Sequence, residues 1–393
     1  MNLRPIVNNQ PRNIPPSVKL SPDAVGKIDQ MFLFLILCLV SFGLVMVYSA
    51  GSAFTDQMYD GDSLRYLKVQ LVAAISGLSL MIVVSFIPCQ LYAKYAKQIL
   101  GLSIFILLLV FTPFGHHVRS GAGIKFHRWI RLGAFGFQPV ELVKLGMIIY
   151  TSNFLISKCE RVKSFTQGVL PNLIILALVF VLLYVQPDFG SAVLLSLVII
   201  LLLITGGARI SQILLVVVIA GFFVFIWMQG DNYKMVRIQD YVRSFSNPYD
   251  TNYQVTQSLN ALAIGGIAGA GIGNSIYKLT FLPHPHNDFI LAIAGEELGL
   301  LGTVTFVLLF MLFVWRGIYI ASHTRNQFAS LIALGIITQI GLQSIMNIGV
   351  TIGILPTKGI NLPFISYGGS SLVMTLVSVG ILLNISRHFH GDI

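Results

Sequence analysis

Ten apolar stretches account for most of this chain, and no soluble fold of its size can bury them all. They cover residues 31–50, 69–87, 99–114, 140–156, 169–185, 189–205, 213–228, 289–320, 328–350 and 371–385. The first is 20 residues long, enough to cross a hydrocarbon core of about 30 Å as a helix. It is too long for the apolar core of a signal peptide and has no convincing cleavage site, so it is expected to remain. Only 10% of the 393 residues are Asp, Glu, Lys or Arg, while 55% are apolar; a soluble domain carries roughly 25% charged residues. Such hydrophobicity excludes disorder, and the three cysteines, Cys38, Cys89 and Cys159, are too few for a disulfide scaffold. The pattern predicts an all-α, polytopic integral membrane protein with about ten transmembrane helices.

The remaining sequence orders itself around those spans. Residues 1–30 are polar and basic and are expected to form a cytoplasmic N-terminal tail; 31–387 form the transmembrane domain and 388–393 a cytoplasmic C-terminal tail. Lys94, Lys97, Lys158, Arg161, Lys163, Arg209, Arg316 and Arg325 fall in short loops on the side of the N-terminus. That bias predicts both termini inside. Two segments on the outer side are long, 115–138 and 229–286. The outer side also carries Arg65, Lys68, Arg119, Lys125, Arg128, Arg131, Lys234, Arg237, Arg243, Lys278 and Lys358, within a net charge of +10. Long loops tolerate such charges during insertion. Alternatively, they form an outward basic surface for a phosphate-bearing ligand. Nucleic acid is a poor partner, because no basic block sits in a soluble domain. The row Gly265, Gly266, Gly269, Gly271 and Gly273 contains no complete P-loop or dinucleotide fingerprint and is expected to pack closely against a neighbour.

Three of the helices that start outside repeat one arrangement, a Pro with an acid one to three residues later: Pro139 and Glu141, Pro187 and Asp188, Pro285 and Asp288. Pro fits the first helical turn and an acid there meets the positive end of the helix dipole, so these are helix-start devices on the simplest reading. The second reading is that three carboxylates at one depth converge on a site. Lys144 lies one turn after Glu141, inside an apolar stretch where a cation needs a partner or water. Glu296 and Glu297 lie about two turns beyond Asp288 and are expected to be structural, bonded to neighbouring helices. His284 and His286 flank Pro285, but no metal-ligand spacing such as HExxH is present, so no metal site is assigned.

Residues 281–299 (FLPHPHNDFILAIAGEELG) and 355–371 (LPTKGINLPFISYGGSS) resemble the signatures of the SEDS family (FtsW/RodA/SpoVE; shape, elongation, division and sporulation proteins). Arg128-Trp129-Ile130 with 137–144 (FQPVELVK), 186–190 (QPDFG), and Tyr253-Gln254 with the glycine row are similar to three further blocks, in family order. The wording of 295–299 and 356–359 is more like the division branch than the elongation branch. The His286-Asn287-Asp288 sequence departs from the family's usual acid-His-Thr before the key Asp.

The resemblance implies a bacterial inner-membrane glycosyltransferase, acting at the division septum, that polymerises lipid II onto a growing glycan strand and releases undecaprenyl pyrophosphate. It implies a class B penicillin-binding protein (an FtsI-like transpeptidase) and other division proteins as partners. It also places Asp288 as the catalytic base, expected to be ionised at its helix start, with Glu141 and Lys144 beside it. Lys144 either orients Asp288 or contacts pyrophosphate. Arg128, Lys278 and Lys358 are expected at the pyrophosphate, and Asp188, His286, Ser366 and Tyr367 in the substrate site. A divalent cation such as Mg2+ or Mn2+ would suit pyrophosphate chemistry. A lipid II flippase, which would line its path with intramembrane charges such as Lys144, Glu296 and Glu297, and a scaffold without chemistry are the rival functional classes.

Overall fold

The computed structural model describes residues 26–58, 62–113, 115–119, 125–132, 135–229, 253–282, 286–357 and 359–387. Each apolar stretch coincides with a helix: α1 Gln30–Met58, α2 Arg65–Val84, α3 Cys89–Leu109, α4 Pro139–Ser157, α5 Leu170–Val185, α6 Phe189–Thr205, α7 Ile210–Gln229, α10 Ile290–His323, α11 Gln327–Thr351 and α12 Gly369–Arg387. Among the described residues, eight helices are long and apolar enough to cross a membrane, and Phe189–Thr205 and Ile210–Ile219 are shorter apolar helices. Among the described residues before α10 are two further helices, α8 Tyr253–Gly265 and α9 Tyr277–Thr280.

Burial separates the helices. In α4, α11 and α12 most of the apolar surface lies inside the bundle, whereas α2 and α3 leave most of theirs outside. In a bilayer such outward faces meet lipid at no hydrophobic cost. α4, α11 and α12 therefore form the interior, with α6 packed on α4 and α11, and α2 packed along α12.

One element departs from the all-α expectation. The loop before α4 holds a three-stranded antiparallel sheet, β1 Gly115–Arg119, β2 Lys125–Leu132 and β3 Phe135–Phe137. It is tied to the bundle where Ser370 of α12 donates its hydroxyl to the Gly136 carbonyl at 2.6 Å. Strand alternation puts Arg128 and Ile130 on one face of β2, and Ile130 is buried.

A second departure is a break in α10. Gly299 has φ 67° and interrupts the helix. In a continuous helix the amides of Leu300 and Leu301 would donate to the carbonyls of Glu296 and Glu297. Instead they donate to Gly266 and Ile267 at 2.9 and 3.2 Å, while the Glu296 and Glu297 carbonyls accept the amides of Ala270 and Gly271, both at 2.9 Å. The glycine row therefore packs closely, as expected, and satisfies these four main-chain groups at the break, as the membrane interior demands. A Cβ at Gly299 would lie within 2.6 Å of the Ile267 carbonyl oxygen in a left-handed conformation. Gly299→Ala is therefore expected to lower stability by at least ~1–2 kcal/mol from the backbone conformation alone. Thermal melting in detergent checks this; a melting temperature equal to that of the parent chain would contradict it.

Candidate active site at one end of the bundle

Residues 286–289 form a turn that leads into α10, and three elements hold it. Asn347 of α11 donates Nδ2 to the Asp288 carbonyl at 2.9 Å and to the Ile360 carbonyl at 2.8 Å. Ser366 donates its hydroxyl to the Asn287 carbonyl at 2.6 Å and accepts the Leu362 amide at 2.8 Å. The Tyr367 amide donates to the His286 carbonyl at 2.9 Å. Behind them Gln70 of α2 donates to the Ser366 carbonyl at 3.3 Å and accepts the Gly368 amide at 3.2 Å. Tyr66, one turn before Gln70, packs its ring on His286 at 4.3 Å and on Tyr367 at 4.6 Å. Asp288 thus sits on a main-chain turn fixed by side chains of α2 and α11 and by the loop between α11 and α12.

Arg128 reaches the same place from β2. Its Nε donates to the Gln186 carbonyl at 3.3 Å and its Nη2 to the Pro187 carbonyl. This anchors it on the tight turn between α5 and α6, where buried Asp188 caps α6 by accepting the Ser191 amide at 3.4 Å. A Cβ added to Gly359 would lie 3.5 Å from Asp288 Oδ2 and 3.9 Å from Arg128 Nη1. The carboxylate and the guanidinium therefore flank one point of the loop, which a side chain at 359 would crowd.

The Asp288 carboxyl is pushed up to about 6, chiefly by burial; the Arg128 charge lowers it and the Asp188 charge raises it. The helix start therefore does not hold Asp288 at its ordinary value: the group remains mostly ionised at neutral pH, but it is a stronger base than its place in the sequence implies. Loss of water and a nearby second carboxylate outweigh the favourable helix end and the arginine.

Glu141 and Lys144 form a buried ion pair at 2.8 Å. The Lys144 ammonium also donates to Gln343 Oε1 at 3.2 Å, and Gln343 Nε2 donates to the Asn361 carbonyl at 2.9 Å. Lys144 therefore reaches the loop that faces Asp288 through Gln343, and neither of these bonds goes to Asp288 itself. Ser366 and His286, expected to bind substrate, are buried braces of the Asp288 turn. Lys278, expected at the pyrophosphate, is 5% exposed and pairs with Glu297 at 2.8 Å. It also donates to Ser49 of α1 and to the Gly273 carbonyl. A buried cation beside a carboxylate is already neutralised. Lys358 lies outside the described residues, as do His284, Pro285 and the basic positions Lys234, Arg237 and Arg243.

Among the described residues no group of three or more His, Cys, Asp or Glu could hold a metal ion. Among the described residues, Asp188 and Asp288 offer two carboxylates there and no closed cage. The sequence reading missed Asn347, Gln343, Gln70 and Tyr66. A signal existed: Gln339, Gln343 and Asn347 recur every four residues in an apolar span, so they share one helix face.

The family model FTSW_RODA_SPOVE, described as cell cycle protein, matches residues 29–391. The chain is 40% identical to the "Probable peptidoglycan glycosyltransferase FtsW" of Geobacter metallireducens, over 95% of this chain and 98% of that protein. It is 37% identical to the "Stage V sporulation protein E" of Bacillus subtilis, over 92% and 97%. Its fold matches a chain from a solved peptidoglycan synthase complex that coordinates polymerization and crosslinking, with a TM-score of 0.75 at 25% identity over 93% and 99% of the two chains. It also matches the rod shape determining protein RodA of Thermus thermophilus, with a TM-score of 0.68 at 24% identity over 93% and 98%. The chain belongs to the FtsW/RodA/SpoVE family of cell cycle proteins, the SEDS family, and is most like FtsW.

Proposed function

We propose that this chain is a peptidoglycan glycosyltransferase that polymerises lipid II with Asp288 as its general base. The observation that carries the assignment is a carboxyl raised to about 6, facing Arg128 on a turn braced from three sides. The acceptor sugar's 4-hydroxyl gives its proton to Asp288 as its oxygen forms a bond to C1 of the donor sugar. The bond from C1 to the pyrophosphate oxygen breaks, and undecaprenyl pyrophosphate leaves with the electron pair. Arg128, whose charge acts on Asp288, stabilises charge on the phosphates. Asp188 tunes the base, and Glu141 and Lys144 hold the loop at 359–361 through Gln343. A divalent cation, if recruited, would come with the substrate's phosphates, and no step above depends on it.

The Asp288 end of the bundle faces outward in this reading, with both termini inside, because lipid II presents its sugars at the outer surface of the bacterial inner membrane. A class B penicillin-binding protein is the proposed partner. The likeness to a chain of a complex that couples polymerization to crosslinking supports it. Division septa are the proposed location, since the relatives at 40% and 39% identity carry the name FtsW.

Proteoliposomes holding the chain and its partner, fed labelled lipid II, are expected to yield glycan polymers. Lipid II that crosses the bilayer with no polymer formed would instead identify a flippase.

The pH profile gives a sharper test. Asp288 must be deprotonated to accept a proton, so the rate is expected to rise through pH about 6 and to lie roughly tenfold under its plateau one unit below. Asp188→Asn removes the charge that raises this value and should move the acid limb to lower pH. Arg128→Met removes the charge that lowers it and should move the limb up. A profile flat between pH 5 and 8 would exclude Asp288 as the titrating base.

A further inference from the structure

The two glutamates after Asp288 have no part in the reaction as written, yet both are buried and fully engaged. Glu296 accepts the Ser275 hydroxyl, the Ile276 amide at 2.7 Å and the Tyr277 amide at 3.4 Å. Glu297 accepts the Ser49 hydroxyl at 2.6 Å and the Lys278 ammonium at 2.8 Å. Ser275 and Lys278 precede Asp288 in the chain; Glu296 and Glu297 follow it. The contacts therefore close the chain into a loop with Asp288 between its fastened ends.

The break at Gly299 gives this closure a mechanical meaning. Residues 290–297 form a short rod, about 12 Å long at 1.5 Å per residue. Its direction is not imposed by the remainder of α10, because the helix is interrupted directly after it. Asp288 stands at one end of the rod, and the Glu296–Glu297 clamp grips the other. A tilt of about 5° at the clamp would move Asp288 by roughly 1 Å, and a misplacement of that size can cost on the order of 10²-fold in rate.

The remaining part of α10 is held separately. Arg316 bonds Asp29, just before α1, at 2.7 Å, and Phe313 and Phe306 stack on Phe32 and Phe42 of α1 at 5.0 and 5.2 Å. α1 thus runs alongside α10 as a splint, touching the rod through Ser49 and the rest through these contacts.

We propose that Lys278, Glu297 and Ser49 are positioning residues for catalysis, setting the angle of the rod that carries Asp288. The proposal rests on Asp288 being the base. Lys278→Met and Glu297→Gln are each expected to lower kcat on the order of 10²-fold and to leave KM for lipid II within about twofold. The double variant Lys278→Met/Glu297→Gln leaves no uncompensated charge and should recover kcat to within about tenfold of the parent. Ser49→Ala keeps the ion pair and should lower kcat about fivefold with only a small fall in melting temperature, so it reports even where a single charge variant fails to fold. Asp29→Asn and Arg316→Met break the partly buried pair at the far end. They should lower the melting temperature and leave kcat as it was.

Equal kcat losses at both ends, losses carried by KM, an unaltered kcat in Ser49→Ala, or a double variant no better than the singles would each overturn the proposal. Asp288→Asn run alongside separates the two levels. An active Asp288→Asn refutes the base assignment, whereas an inactive Asp288→Asn beside an unaffected Glu297→Gln refutes only the clamp.

Discussion

Asp288→Asn is expected to remove glycan polymerisation while the protein remains folded and inserted. The substitution keeps the shape of the side chain and the main-chain bond from Asn347 to the Asp288 carbonyl. It removes the carboxylate proposed to take the hydroxyl proton, a contribution worth typically 10²–10⁴-fold. Stability should hold or rise. A carboxyl raised above its ordinary value binds its proton more readily in the folded chain than in the unfolded one. Its ionisation therefore opposes folding as pH climbs through about 6, and the neutral amide lifts that opposition. Initial rates with labelled lipid II, read beside thermal melting at pH 7.5, test both halves. An Asn variant that polymerises at the parental rate would return Asp288 to the role of a helix-start residue.

Lys144→Met is expected to produce a large loss of stability. It leaves Glu141 buried without its cation, at 8% exposure. Removing one partner of a buried pair typically costs 3–5 kcal/mol, a large part of a net stability of about 5–15 kcal/mol. The expected result is a low yield of folded protein and negligible activity. Glu141→Gln with Lys144→Met removes both charges and should restore folding. Its activity then separates two roles. Gln343 still donates to the Asn361 carbonyl but loses the ammonium that fixes it. Since hydrogen bonds to charged groups contribute about 1.5–3 kcal/mol, the double variant should fold normally with kcat reduced by roughly tenfold. A folded double variant with full activity would show that the pair stabilises the bundle and does nothing for the site.

The apolar spans and the resemblance to one family were legible before any coordinates. Hydropathy is a property of each segment taken alone, so ten apolar runs announce ten helices wherever those helices end up. Short motifs around Pro139, Pro187 and Asp288 likewise read locally, since a helix start needs only its own neighbours. The structural role of Glu296 and Glu297 followed from the same local reasoning, because buried acids two turns into a span require partners.

What local reading could not supply is which side chains face each other. A lysine on an outer loop looks the same whether it will meet a phosphate or a carboxylate. Lys278 was placed with the phosphate, and packing of α1 against α10 gave it Glu297 and Ser49 instead. Ser366 reads as a free hydroxyl until the loop before α12 folds under the Asp288 turn and turns it into a brace. The raised basicity of Asp288 arises for the same reason. Its position in a helix is a sequence fact favouring charge, but the loss of water around it and the approach of Asp188 arise only when α5, α6, α10 and the sheet are assembled. The break at Gly299 belongs to this class too, since a helix can be interrupted inside a membrane only where another segment, here the glycine row, takes over its hydrogen bonds. Composition and periodicity decide where a chain crosses a bilayer because that transfer is nearly additive along the sequence. Pairing, burial and the angle of a catalytic turn are set by contacts between residues far apart in the chain, and those exist only once the bundle has closed.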